Sequence, residues 1–236
     1  MSLEEFHRNF RSDLQATIAE RIEAGEGPFP SEELVFAEKV MEHVAETGIC
    51  EEPIVCHWNG KVGNAKLRIT GYALSADETA LDLFVTHYFG TENLQDLVDS
   101  DATATASEGV RFLFRAASGN LDARIDPTHS VRDLVATIRS RWGDIDRLRV
   151  FVITDGKTKT KRFSNKEVHD KMVAVEAMDM ERLFRHTDGK PRDELSLSLV
   201  QSIGRPLPCV HVPDPDADYE YALTAIPGQL IRDLYL

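Results

Sequence analysis

No apolar run in these 236 residues approaches the roughly 20 positions that cross a bilayer. The N-terminus carries Glu4 and Glu5 where an export signal would hold its apolar core. The sequence therefore predicts a chain without membrane contact, working in the cytoplasm. Cysteine is scarce: Cys50, Cys56 and Cys209 make an odd count without zinc-like spacing, which reads as reduced thiols rather than a disulfide framework. A surplus of basic residues is also missing. Acidic residues outnumber basic ones 40 to 27, for a formal net charge of −13. This excludes a broadly basic nucleic-acid footprint and leaves room only for a local patch. Gly60, Gly63 and Gly71 form no phosphate-cradling loop, and no Walker-type or dinucleotide glycine pattern occurs. The eight histidines, His57 beside Cys56 included, lack ligand spacing, so no metal and no cofactor are expected.

An ordinary globular balance remains, 42% hydrophobic and 28% charged, over a length that fits one full domain and part of another. The rest is organised around Asn64–Gly90. Lys66–Leu74 reads as a strand, Ser75–Thr79 as a polar turn, and Ala80–Phe89 as a second strand. Leu81, Leu83, Val85, His87 and Phe89 fall on one face of its two-residue period. Asp82, Phe84, Thr86 and Tyr88 take the other, and two aromatics there imply that both faces meet protein, as in a central strand.

Along the chain, apolar positions at spacings of three and four predict a helix over 3–24 and another after Ser31, ended by Gly48. Ile54–Trp58 is expected as a short strand, with Asn59-Gly60 as the tight turn that follows it. Thr91–Ala117 reads as one helix or two, with a break near Gly109, and a further helix ends at Trp142. Leu148–Thr154 is a near-continuous apolar run fit for a strand buried on both faces. Asp155–Arg162 is a basic loop, Val168–Ala177 holds one more strand, and Met178–His186 a helix. Thr187–Pro191 looks like a boundary, beyond which short strands alternate with proline turns. The apolar pattern of Leu230–Leu236 is still running where the chain stops, which suggests a truncated second domain.

A mixed sheet with flanking helices and a hairpin at its centre is the shape of restriction-endonuclease-like cores. Chemistry on such a hairpin needs an acid on the first strand and an acid-x-lysine on the second, so that carboxylates hold a divalent cation and the lysine stabilises developing charge. Here Thr70, Val85 and His87 fall at those positions, and Thr70 and Val85 carry no charge. The fallback acids are Asp77, Asp82 and Glu33, of which the first lies in the turn and the second faces away from Val85. Lys157, Lys159, Lys161 and Arg162, with Lys166 close by, form the one basic segment that could contact phosphate.

Tyr219–Tyr235, with its Ile226-Pro227-Gly228 turn, resembles the opening of the characteristic region of the AIPR family, the abortive infection phage resistance proteins. Val175–Phe184 resembles the segment that precedes it, and Leu67–Tyr72 with Leu81–Phe89 is similar to the family's N-terminal hairpin. The resemblance implies antiphage defence in a prokaryotic cytoplasm. The combined expectation is an endonuclease-like α/β domain over 1–190, followed over 191–236 by the start of a β-rich AIPR-like domain. The first domain is expected to be a pseudoenzyme that binds nucleic acid or another defence protein, or that self-associates into a homo-oligomer. The alternatives are a nuclease using Mg²⁺ on the displaced acids, or a purely structural assembly module.

Overall fold

The computed structural model describes residues 1–25, 31–121, 124–187, 209–212, 221–225 and 227–228. The chain divides into two compact units, Met1–Gly189 and Lys190–Leu236. Among the described residues the first holds five helices: α1 (Leu3–Glu23), α2 (Glu32–Glu46), α3 (Asp99–Ala117), α4 (Val131–Arg141) and α5 (Met180–Thr187). Its strands are β1 (Pro53–Val62), β2 (Ala65–Leu74), β3 (Ala80–His87), β4 (Arg147–Thr154), β5 (Arg162–Val168) and β6 (Lys171–Met178). They form a single sheet in the order β1-β2-β3-β4-β6-β5. β1, β3, β4 and β6 run in one direction, β2 and β5 in the other.

Period-two alternation in the strands sends side chains to two separate cores. Leu81, Leu83 and Val85 pack with Leu67, Ile69, Val150 and Val152 under α3 and α4. Phe84, Phe151 and Ile153 point the other way, beneath α1, α2 and α5. Phe84 and Phe151 are neighbours in the β3/β4 ladder and stack 5.4 Å apart with an interplanar angle of 15°. The strand with aromatics on one face and aliphatics on the other is thus covered on both, as its sequence predicts.

The structure corrects four local expectations. β1 runs straight through Asn59-Gly60, and the hairpin turn comes at Gly63-Asn64. The bare Cα of Gly60 lies under the Trp58 ring, while Gly63 adopts the positive φ (61°) that a tight turn demands. α3 continues unbroken through Gly109, because that glycine lets the helix approach the sheet. A Cβ there would sit 2.6 Å from Val85 Cγ2. β5 is a separate strand that the sequence conceals: RFSNKEV is mostly polar, as suits an edge strand with one face in solvent. The helix expected from Thr91 starts only at Asp99, since residues 91–98 form a loop, tied to β4's exit by the Asp96–Lys157 bridge.

In the second unit, β7 (Cys209–Val212) and β8 (Tyr221–Thr224) pair antiparallel, with Cys209 opposite Thr224. The expected Leu195–Gln201 strand and the Leu230–Leu236 helical pattern lie outside the described residues.

Candidate functional site

The organising hairpin opens at one end. The β2/β3 ladder extends from Leu74 opposite Leu81 only as far as Gly71 opposite Phe84, although both strands continue. Beyond that point side chains satisfy the backbone. Thr70 Oγ1 accepts the Thr86 N–H at 3.2 Å and the Thr86 hydroxyl at 3.0 Å. Arg68 Nη2 donates to the Thr86 carbonyl at 2.6 Å, and Arg111 Nε donates to the Lys66 carbonyl at 2.8 Å. Buried backbone groups must find partners, so a fork in a sheet persists only where side chains of this kind fill in. The fork lies at the carboxyl ends of β1, β3 and β4, the edge of an α/β sheet where ligands commonly bind.

A cleft of about 470 Å³ occupies it. Its floor is Arg68, whose guanidinium meets a carboxylate from each flanking layer. Glu33, in the first turn of α2, lies 3.5 Å from Nη1, and Glu108 of α3 lies 3.1 Å from Nε. Neither contact is an aligned hydrogen bond: Arg68 Nε and Glu33 Oε1 are buried atoms without a hydrogen-bond partner. Buried polar atoms in that state are uncommon in folded proteins and mark places where a further group can bind. His87 lines the wall, its Nδ1 3.2 Å from the hydroxyl of the buried Thr105, one helical turn before Glu108. That contact leaves Nε2 as the ring nitrogen without a hydrogen-bond partner among the described residues. On the adjoining wall the Tyr88 hydroxyl donates to Glu32 Oε2 at 3.2 Å, and burial raises its pKa, so it stays a neutral donor.

The exposed charges lining the cleft are Asp101 and two lysines. Lys61 and Lys66 stand directly opposite each other in the β1/β2 ladder, both exposed and both lining the cleft. Like charges in that relation repel, and among the described residues neither lysine has a carboxylate within ion-pair distance. An anion between them would relieve the repulsion.

Residues 36–185 match the family model for the N-terminal domain of abortive infection phage resistance proteins. The chain belongs to that family. No curated protein and no solved structure matches it. Within this abortive infection domain Lys61, Lys66, Arg68, His87 and Glu108 fall inside the matched span, whereas α1 and Glu33 precede it.

The positions named from sequence are distributed unevenly. His87 and Glu33 reach the cleft. Thr70 does not line it but closes the fork from within, fully buried, and Val85 lies in the core under α3. Asp82 is 2% exposed and is held in a bidentate pair with Arg149 (2.7 and 2.6 Å), its direct ladder neighbour. Asp77 serves the turn, accepting from the Ser75 and Thr79 hydroxyls, and these bonds bring its pKa down to about 2. Among the described residues no group of three or more His, Cys, Asp or Glu side chains is placed to hold a metal ion.

The basic loop is partly neutralised by its own surroundings. Lys157 lies 3.6 Å from Asp96, and Lys161 pairs with Asp179 and, at 2.8 Å, with Glu181. Asp179 also accepts the backbone N–H groups of Thr158 and Arg182, and Asp155 those of Phe89 and Gly90. These two buried aspartates fix the loops at the strand ends. Lys159 and Arg162 remain exposed, and Lys166 is half-buried on β5.

Arg68, Glu108 and the two rim lysines escaped the sequence reading. Lys66 and Arg68 alternate with Leu67 and Ile69 at strand period, so a cationic face was present in the pattern. Glu108 sits in a small polar stretch that looked like a helix break.

Proposed function

We propose that this chain acts in antiphage defence in the cytoplasm through an N-terminal module that binds nucleic acid in the fork cleft. In this reading the module has a restriction-endonuclease-like scaffold that no longer runs divalent-metal hydrolysis. Support for the scaffold comes from the antiparallel β1-β2-β3 meander, the parallel β4 beside β3, and helices on both faces. The observation that carries the binding reading is the Lys61/Lys66 pair, which has no carboxylate within ion-pair distance among the described residues, beside an Arg68 whose ion pairs to Glu33 and Glu108 are not aligned hydrogen bonds. Arg68 supports the loss of metal chemistry: its positive charge occupies the place between Glu33 and Glu108 where a shared cation would have to sit.

Fluorescence anisotropy with labelled single- and double-stranded oligonucleotides at low salt tests the reading. The wild-type chain is expected to bind, and Lys61→Glu with Lys66→Glu to weaken binding by on the order of tenfold or more. The slope of log K against log salt should fall by about two, roughly one per phosphate contact. A double variant that binds like the parent, or a parent that does not bind, removes the cleft from nucleic-acid recognition.

One observation favours a second reading. Glu33 and Glu108, from helices on opposite faces, do converge, as a divalent-metal nuclease would require. Cutting of DNA that depends on Mn²⁺ or Mg²⁺ and disappears in Glu33→Gln would establish that alternative.

A further inference from the structure

We infer that the fork cleft cleaves RNA without a metal ion, by transesterification through the substrate's own 2′-hydroxyl. The inference rests on reading the cleft as a nucleic-acid site and adds a chemistry to it. Losing metal-holding acids does not leave the cleft without reactive groups. It holds three carboxylates (Glu33, Asp101 and Glu108), an imidazole whose Nε2 has no hydrogen-bond partner among the described residues (His87), a guanidinium (Arg68) and two lysines without carboxylate partners among those residues. Phosphodiester transfer needs a base for the nucleophile, an acid for the leaving oxygen, and fixed positive charge for the phosphoryl oxygens. All three are present, and RNA supplies the nucleophile.

The assignment follows from position. Glu108 and Thr105 lie one turn apart on α3, and side chains so spaced are neighbours, with Cβ atoms roughly 5–6 Å apart. Thr105 holds His87 at 3.2 Å, so carboxylate and imidazole face the same part of the cleft. Arg68, 3.1 Å from Glu108, presents its guanidinium beside them.

In the reaction the Glu108 carboxylate takes the proton of the ribose 2′-hydroxyl, and the 2′-oxygen attacks phosphorus. The bond from phosphorus to the 5′-oxygen breaks, and protonated His87 gives its proton to the departing oxygen. Arg68 and Lys66 bear the charge on the non-bridging oxygens. The products are a 2′,3′-cyclic phosphate and a 5′-hydroxyl, with no redox change and no water consumed. DNA lacks the nucleophile and is a ligand only.

The test uses the full chain in excess EDTA with a labelled ribo-oligonucleotide, its deoxy counterpart and its 2′-O-methyl counterpart. Only the ribo-oligonucleotide should be cut, leaving a 2′,3′-cyclic phosphate end, while all three bind. His87→Asn and Glu108→Gln should each slow cleavage by about 10²-fold or more, compared at chain concentrations that saturate the oligonucleotide. Because Glu108→Gln also loosens Arg68, His87→Asn serves as the variant that leaves the floor of the cleft intact. RNA that is bound yet stays whole in EDTA overturns the inference and leaves the binding reading standing. Cutting of the deoxy or 2′-O-methyl strand overturns it as well, as does cutting that persists in both variants. Failure to bind any of the three overturns both readings.

Discussion

Phe84 shows how much a single side chain can hold in this sheet. It is fully buried on the α2 side of β3 and stacks on Phe151, beside the Asp82–Arg149 pair. Replacing it with alanine removes a ring from a site that rigid strands keep from collapsing, so the expected loss is about 3–5 kcal/mol. Urea denaturation checks this, and a variant with the parent's midpoint would contradict the placement. The residue was legible in the sequence because an aromatic in the middle of an alternating strand has few other places to go. Arg68 was not legible. Its role depends on two helices arriving from opposite faces, and nothing in the local pattern of β2 encodes where Glu33 and Glu108 will stand.

Among the elements, α3 depends most on a local exception to its own propensity. A glycine in mid-helix costs about 1 kcal/mol relative to alanine, yet Gly109 sits where a Cβ would lie 2.6 Å from Val85 Cγ2 and 3.2 Å from Val150 Cγ1. Both neighbours are branched, buried and fully packed, so the helix would have to lift from the sheet. Overpacking costs about 1–3 kcal/mol, and at so short a contact the upper part of that range applies. Gly109→Ala should therefore lose about 1–2 kcal/mol net, measured by thermal or urea melting, despite its better helix propensity. A more stable variant would show that the helix can shift freely. From sequence the same glycine looked like a break, because propensity describes the helix alone and close approach is a property of the helix against the sheet. β5 escaped for a related reason: a polar edge strand carries too little period-two contrast to stand out from the loop before it. By contrast the buried strands β3 and β4, whose apolar content is set by two covering layers, were read within a residue or two.

Over the whole molecule, three histidines set an acid limit on stability. Burial lowers the pKa of His7, His43 and His57 below the ordinary 6.5. Nearby charges modify this: Asp155 and Arg11 act on His7, Glu46 on His43, and Glu33, Arg68 and His129 on His57. The folded state prefers the neutral ring, so below about pH 6.5 the unfolded chain binds more protons and stability falls with falling pH. Urea midpoints should decline from pH 7.5 to pH 5, and His→Gln at all three positions should flatten the decline. A parent with a level profile over that window would contradict the burial of these rings. The mixed α/β class, the central hairpin and the family resemblance were visible in the sequence, since each rests on contiguous patterns. The cleft was not, because it is assembled from β1, β2, β3, α2 and α3 at once.

The opening between β2 and β3 also has a mechanical meaning. In an unbroken sheet the helices of one layer have no way to touch those of the other, and each layer responds to its own contacts alone. Here one guanidinium passes through the gap and binds a carboxylate of α2 and a carboxylate of α3. An anion that drew Arg68 toward itself would loosen its hold on both helices together, so this single side chain would link occupancy at the fork to both outer layers of the domain.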